Sequence, residues 1–165
     1  MEILYPPTLF PFLKNKHLLL DTNVFRDAVV KPTVYSRLFN DLKTADVTLV
    51  TIDAVRYELL KGSADDTKYK EKMKLIDDIV DISLPISPKT VELVYTLIQD
   101  YGIHGTVMSL TDLFLGATLM QYQNRICLLT RDTTDFIQSV FNLLFIINVP
   151  YSKGIFTYGV YQYGA

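Results

Sequence analysis

The stretch "HLLLDTNVFRDAVV", residues 17–30, decides the fold. Its first four residues, His17 to Leu20, suit a short buried strand. An acid, Asp21, stands where that strand ends, with Thr22 and Asn23 behind it. A charge at the end of an apolar strand is costly unless something pairs with it. Asp21 therefore either caps a helix that starts at Thr22 or helps to hold a cation.

Four more stretches read as strands: 47–52, 80–83, 126–130 and 143–149. They are rich in Leu, Ile and Val with little polar alternation, as in strands covered on both faces. Helical segments lie between them. One falls near 33–44 and another runs from Asp53 to Lys61. A third, "DTKYKEKMKLIDDI" (66–79), carries Asp66 and Lys70 at i,i+4 and an apolar face at Met73, Ile76 and Ile79. A fourth follows Pro88, which suits a first helical turn. The fifth, "LTDLFLGATLMQYQ" (110–123), is apolar nearly all round and reads as buried. This alternation predicts a single α/β domain, a three-layer α/β/α sandwich around a mainly parallel sheet. Sites in such sheets form beyond the carboxyl ends of strands, where the strand order reverses. Asp21 lies at such an end, and so does Asp132 after "ICLLTR".

The chain has 165 residues, enough for one domain that buries roughly 70% of its unfolded surface. Hydrophobic residues make up 49%, which supplies a core and argues against disorder. The net charge is −2 and the pI about 5.6, so long-range attraction to duplex nucleic acid is not expected. Any nucleic-acid contact has to be local or metal-mediated. A single cysteine, Cys127, excludes an internal disulfide and reads as a small buried residue in a reducing compartment. Glu2 and three prolines break up any signal-peptide pattern at the start, and no apolar run reaches the roughly 20 residues of a membrane span. A cytoplasmic protein with no membrane contact is the expectation. The organisation reads as an extension at 1–16, a main domain at 17–149 and an aromatic tail at 150–165. The tail carries five aromatics in 151–163 and is expected to pack on the domain. An extra strand, a dimer contact and a base-stacking surface are its alternatives.

Five acids are worth weighing: Asp21, Glu58, Asp112, Asp132 and Asp135. Each has an ordinary reading. Asp21 caps a helix, and Glu58 pairs with Lys61 one turn on. Ser109-x-x-Asp112 forms a capping box, and Asp132 caps a short helix. Their joint placement argues for more. Asp112 opens the most apolar helix, where an unpaired anion is least tolerable. A parallel sheet would bring these acids together at one edge. Clustered carboxylates raise one another's pKa, and a divalent cation relieves the conflict.

Four blocks, "LLLDTNVF", "AVRYELLKG", "SLTDLFLGATL" and "LLTRDTTDF", give the chain a resemblance to the PIN domain, the nuclease fold of VapC-type toxins and related ribonucleases. The resemblance covers 17–149. It implies a ribonuclease that uses Mg²⁺ or Mn²⁺ and leaves 5′-phosphate and 3′-hydroxyl ends. It makes Asp21, Glu58 and Asp112 catalytic metal ligands. The fourth acid falls on Asp132, which is favoured, or on Asp135, which otherwise lines the site. Asn23 and Thr130 match polar site-lining positions. Arg26 and Arg131 are weaker candidates for guiding an RNA backbone, and His104 is a weaker one still. A toxin of this class would have an antitoxin partner and often a homodimeric state. A phosphatase with Asp21 as nucleophile would need a second acid where Asn23 stands. The other alternative is a PIN-like scaffold that binds RNA or protein without cutting.

Overall fold

The computed structural model describes residues 2–104 and 108–164. The first strand, β1 (His17–Leu20), lies at the centre of a six-stranded sheet. On one side it pairs in parallel with β2 (Thr48–Ile52), which pairs in parallel with β3 (Ile82–Leu84). On the other side it pairs in parallel with β4 (Ile126–Thr130). The sheet continues antiparallel through β6 (Gly154–Tyr163) to β5 (Phe141–Tyr151), giving the order β3-β2-β1-β4-β6-β5. The chain thus leaves β1 toward β2 and β3 and returns on the opposite side at β4. That reversal is the switch point at which sheets of this class build sites.

Among the described residues seven α-helices connect and cover the sheet: α1 (Leu9–Leu13), α2 (Thr22–Val30), α3 (Pro32–Thr44), α4 (Asp53–Leu60), α5 (Asp66–Ile79), α6 (Pro88–His104) and α7 (Leu110–Tyr122). Leu18, Leu19 and Leu20 are all fully buried, as is most of β4. Successive residues of a strand point to opposite faces, so both faces of the sheet are covered. This is the three-layer α/β/α sandwich that the sequence predicts. Helices α6 and α7 pack closely through Gly116, where a Cβ would stand 2.6 Å from Leu97 Cδ2. No helix among the described residues is long and apolar enough to cross a membrane.

Strand β5 runs two residues beyond the expected 143–149 at each end and β2 starts one residue late, and three further elements depart from the sequence reading. The third strand starts at Ile82 rather than 80, because Val80 caps α5 with its N–H on Ile76 O. Near the start, α1 forms despite the prolines and buries Leu9 and Leu13 in the common core. The aromatic tail is a strand inside the sheet. Tyr158 and Tyr161 on β6 are buried, and the boundary drawn at 149 runs through the β5–β6 hairpin. The side chain of His104 lies outside the described residues.

Candidate metal centre at the carboxyl edge of the sheet

Because β1 and β4 run parallel with Leu20 opposite Leu129, the residues that follow each strand emerge side by side. Asp21 N donates to Leu129 O at 3.1 Å. Asp21 does cap α2: its Oδ1 accepts from Thr22 N at 2.6 Å. Its other oxygen faces β4. There Thr130 Oγ1 donates to Oδ2 at 2.6 Å, and Asn23 Nδ2 does so at 3.2 Å. Asn23 Nδ2 also reaches Thr130 Oγ1 at 3.2 Å, and Asn23 Oδ1 accepts from Arg131 N at 3.3 Å. Asn23 and Thr130 therefore clamp the end of β4 to the start of α2. Burial raises the Asp21 pKa, the hydrogen bonds from Thr130 and Thr22 oppose this, and the charges of Glu58 and Asp132 add to it.

Asp112 comes from the first turn of α7. Ser109 caps this helix, accepting from Asp112 N at 3.1 Å, and its hydroxyl donates to Asp112 Oδ2 at 2.8 Å. One hydroxyl thus both ends the helix and orients the carboxylate. After β4 the chain turns on Asp132. Asp132 N donates to Thr130 Oγ1 at 2.9 Å, and Asp132 Oδ1 accepts from Thr134 N, Thr134 Oγ1 and Asp135 N, each at 3.1 Å. No helix follows Asp132; these bonds form a side-chain-closed turn instead, because Asp accepts readily from backbone N–H groups two and three residues on. The turn brings Asp135 back beside Asp132. Tyr101 of α6 pins the far side of the loop: its hydroxyl donates to Asp135 O and accepts from Ile137 N at 3.1 Å.

Carboxylate oxygens of Asp112, Asp132 and Asp135 all lie within 4.8 Å of one another. Three negative charges cannot share such a space cheaply. Asp135 is pushed up to about 7, first by burial and then by hydrogen bonding to Asp112 and Asp132. Burial likewise raises Asp112, against the hydrogen bonds from Asp135 and Ser109. For Asp132 burial is outweighed by the hydrogen bonds it accepts from Asp135 and Thr134, and its pKa is lowered. The three acids therefore titrate as one coupled group, in which Asp135 is raised most clearly and Asp132 is lowered. An all-oxygen donor set of this kind suits a hard divalent cation. Oxygens on one Mg²⁺ at about 2.1 Å lie at most about 4.2 Å apart, so these carboxylates need only small adjustments to share one.

Glu58 stands apart from this group of three. It does not pair with Lys61; its Oε1 lies 3.7 Å from Arg26 Nη2 across the gap between α4 and α2. Its charge nonetheless reaches Asp21. Arg131 is engaged elsewhere. Its Nε meets Asp27 Oδ2 at 2.7 Å and its Nη2 meets Asp27 Oδ1 at 3.0 Å, a two-pronged pair, while its guanidinium stacks 4.8 Å from the Phe156 ring centre. The Tyr158 hydroxyl donates to the same Asp27 Oδ2 and is itself bonded to Tyr35. Sequence reasoning passed over Asp27. The one signal was its helical phase, since Val24, Asp27 and Ala28 share the buried face of α2.

No protein-family model and no curated protein sequence matches the chain. Among solved structures it is similar to a chain of the crystal structure of VapBC2 from Rickettsia felis bound to a DNA fragment from their promoter. The identity is 21%, the match covers 61% of this chain and 78% of that one, and the TM-score is 0.50. The likeness is one of fold, and the fold is PIN-like.

Proposed function

We propose that this chain is a Mg²⁺- or Mn²⁺-dependent endoribonuclease and the toxin of a toxin–antitoxin pair. The observation that carries the reading is the convergence of Asp112, Asp132 and Asp135 within 4.8 Å at the switch point of the sheet. Asp21 is held beside them by Thr130 and Asn23. Asp112 and Asp132, with Asp135 after it gives up its proton, would hold the cation, and Asp21 would face it from β1. Ser109, Thr134 and Thr130 fix the directions of these carboxylates. When bound, the metal supplies an activated water and positive charge at the scissile phosphate. Glu58 sits at the edge of this group, where its charge acts on Asp21. RNA as substrate comes from the family resemblance of the four acidic blocks. An antitoxin partner is consistent with the fold neighbour, a chain of VapBC2.

The test uses purified protein with structured and single-stranded RNA, in Mg²⁺, in Mn²⁺ and in EDTA, beside Asp112→Asn. Cleavage should require the metal and fall more than about 100-fold in the variant, since removing a residue that merely supports a metal ligand already costs 10–100-fold. Asp112→Asn cutting at the wild-type rate would break the site assignment. Neither cleavage nor metal-dependent thermal stabilisation would favour the non-cutting scaffold.

A further inference from the structure

Two hollows meet on α4 beside the acidic group. Both are lined by Glu58 and Lys61. The first, about 220 Å³, also draws Arg26 and Lys72 to its wall. The second, about 330 Å³, lies between α4 and the start of α7 and is mostly apolar: Ala54, Tyr57, Leu110 and Phe114 line it. Helical phase explains its shape. Ala54, Tyr57, Glu58 and Lys61 form one stripe at i, i+3, i+4 and i+7, and it faces Leu110 and Phe114 at i,i+4 on α7. Thr111 lines the same hollow and directly precedes Asp112.

The polar groups here are unevenly committed. Lys72 Nζ is bonded to Leu59 O at 3.0 Å, and Arg26 leans on Glu58. Lys61 makes no side-chain hydrogen bond or ion pair among the described residues. Tyr57 is 64% exposed, a large aromatic left on the surface beside a cavity. A hollow with cations from α2 and α5, beside a free lysine and an exposed ring from α4, matches the needs of a single-stranded polynucleotide, whose phosphates seek cations and whose unpaired bases seek flat apolar surface. The cavity volume lies near the low end of the roughly 300–1,000 Å³ of small-ligand pockets.

Resting on the ribonuclease reading above, we propose that the hollow between α4 and α7 takes an unpaired base of a single-stranded RNA substrate. Tyr57 and Phe114 lie against the base. Lys61 meets the adjoining phosphate, and the strand continues past Arg26 and Lys72. Such a pocket selects unpaired strand over duplex, because a base within a helix cannot enter it.

Full-length Asp112→Asn protein and a fluorescein-labelled single-stranded RNA, followed by anisotropy, provide the test. Adding Tyr57→Ala should weaken binding about 5- to 100-fold, as expected for loss of one stacked base, while Tyr57→Phe should restore most of it. Lys61→Ala should weaken binding and lower the salt slope by about 0.7. Annealing the complementary strand should abolish the effect of Tyr57→Ala. If wild-type protein cuts RNA but Tyr57→Ala leaves affinity unchanged, the base pocket is wrong and the ribonuclease reading stands. If Tyr57→Ala instead changes the sedimentation mass with RNA affinity intact, the hollow is a contact between copies and the proposal is overturned. If wild-type protein neither binds nor cuts RNA, the reading beneath the proposal fails with it.

Discussion

Two carboxylates on this molecule are buried to a similar depth and treated in opposite ways. Asp27 is 5% exposed and Asp112 is 8% exposed. Asp27 has a guanidinium across both oxygens and a tyrosine hydroxyl besides. Asp112 has one serine hydroxyl and two further acids. For Asp27 the chain supplies its own counter-charge, from a residue 104 positions away. For Asp112 it supplies a proton shared through Asp135. The two arrangements meet in the sequence at Arg131 and Asp132, one of which serves Asp27 and the other the acidic group. A fold able to neutralise one buried acid so fully has left the adjacent group in mutual repulsion, and that contrast is the physical content of calling the second a site.

The largest expected effect lies on the satisfied side. Asp27→Ala leaves Arg131 without its partner and Tyr158 and Tyr35 with only each other. Breaking a buried ion pair costs about 3–5 kcal/mol. The Arg131 side chain is 39% exposed and can recruit water, so the low end applies. The expectation is a loss of about 3 kcal/mol in urea unfolding, or roughly 6–12 °C in Tm for a chain of this size. Asp27→Asn, which still accepts from Tyr158, should lose less. A cost below about 1 kcal/mol for Asp27→Ala would erase the contrast, since Asp27 would then be no better satisfied than a surface acid.

Next come the acids left in repulsion. Asp135 keeps its proton up to about 7 in the folded chain and loses it near the ordinary 3.8 when unfolded. Between those values the folded state binds more protons, so stability should fall as pH rises from about 4 to about 7 and then level off. Asp21 and Asp112 are raised as well and steepen this fall, while Asp132 is lowered and tempers it. Without divalent metal, Tm should be higher at pH 5 than at pH 8. Saturating Mg²⁺ should offset much of this loss, with stabilisation of about 2.7 kcal/mol at 100 times Kd. The gain should be smaller at pH 5, where protons compete for the same oxygens. Asp135→Asn should flatten the metal-free profile. A Tm that climbs steadily from pH 5 to pH 8 without metal would show that the acids do not repel as their spacing implies.

The sequence carried one side of the contrast far better than the other. Each carboxylate of the acidic group follows a local signal: an acid at a strand end, a Ser-x-x-Asp helix start, a Thr-Arg-Asp turn. Strands β1 and β4 have the limits their apolar runs predict, and α5 spans its amphipathic stretch with Asp66 and Lys70 paired at 2.7 Å. Asp27 and Arg131 send no such signal, because their pairing depends on two distant segments meeting at one sheet edge. The same holds for β6. Its aromatic pattern reads first as a tail packed on the domain, with an extra strand as one alternative, and it enters the sheet between β4 and β5, where only long-range antiparallel pairing puts it. The first helix escaped notice for a different reason, since Pro6, Pro7 and Pro11 mask a five-residue turn held by burial of Leu9 and Leu13.

The smallest expected effect separates the two ways of neutralising an acid at their meeting point, Glu58. Arg26 stands 3.7 Å from it and is 58% exposed, a solvated pair worth no more than about 0.5 kcal/mol. Arg26→Ala should therefore leave Tm nearly unchanged in metal-free buffer. Its effect on a Mg²⁺ titration followed by Tm is more telling. If Glu58 serves the cation, as its place in the second acidic block implies, Arg26 competes with that cation, and its removal should tighten Mg²⁺ binding about 2-fold. Weaker Mg²⁺ binding would instead mean that Arg26 holds Glu58 in position, as Arg131 pairs with Asp27. Unchanged binding would place Glu58 with the surface pairs and leave Asp21, Asp112, Asp132 and Asp135 as the whole of the acidic group.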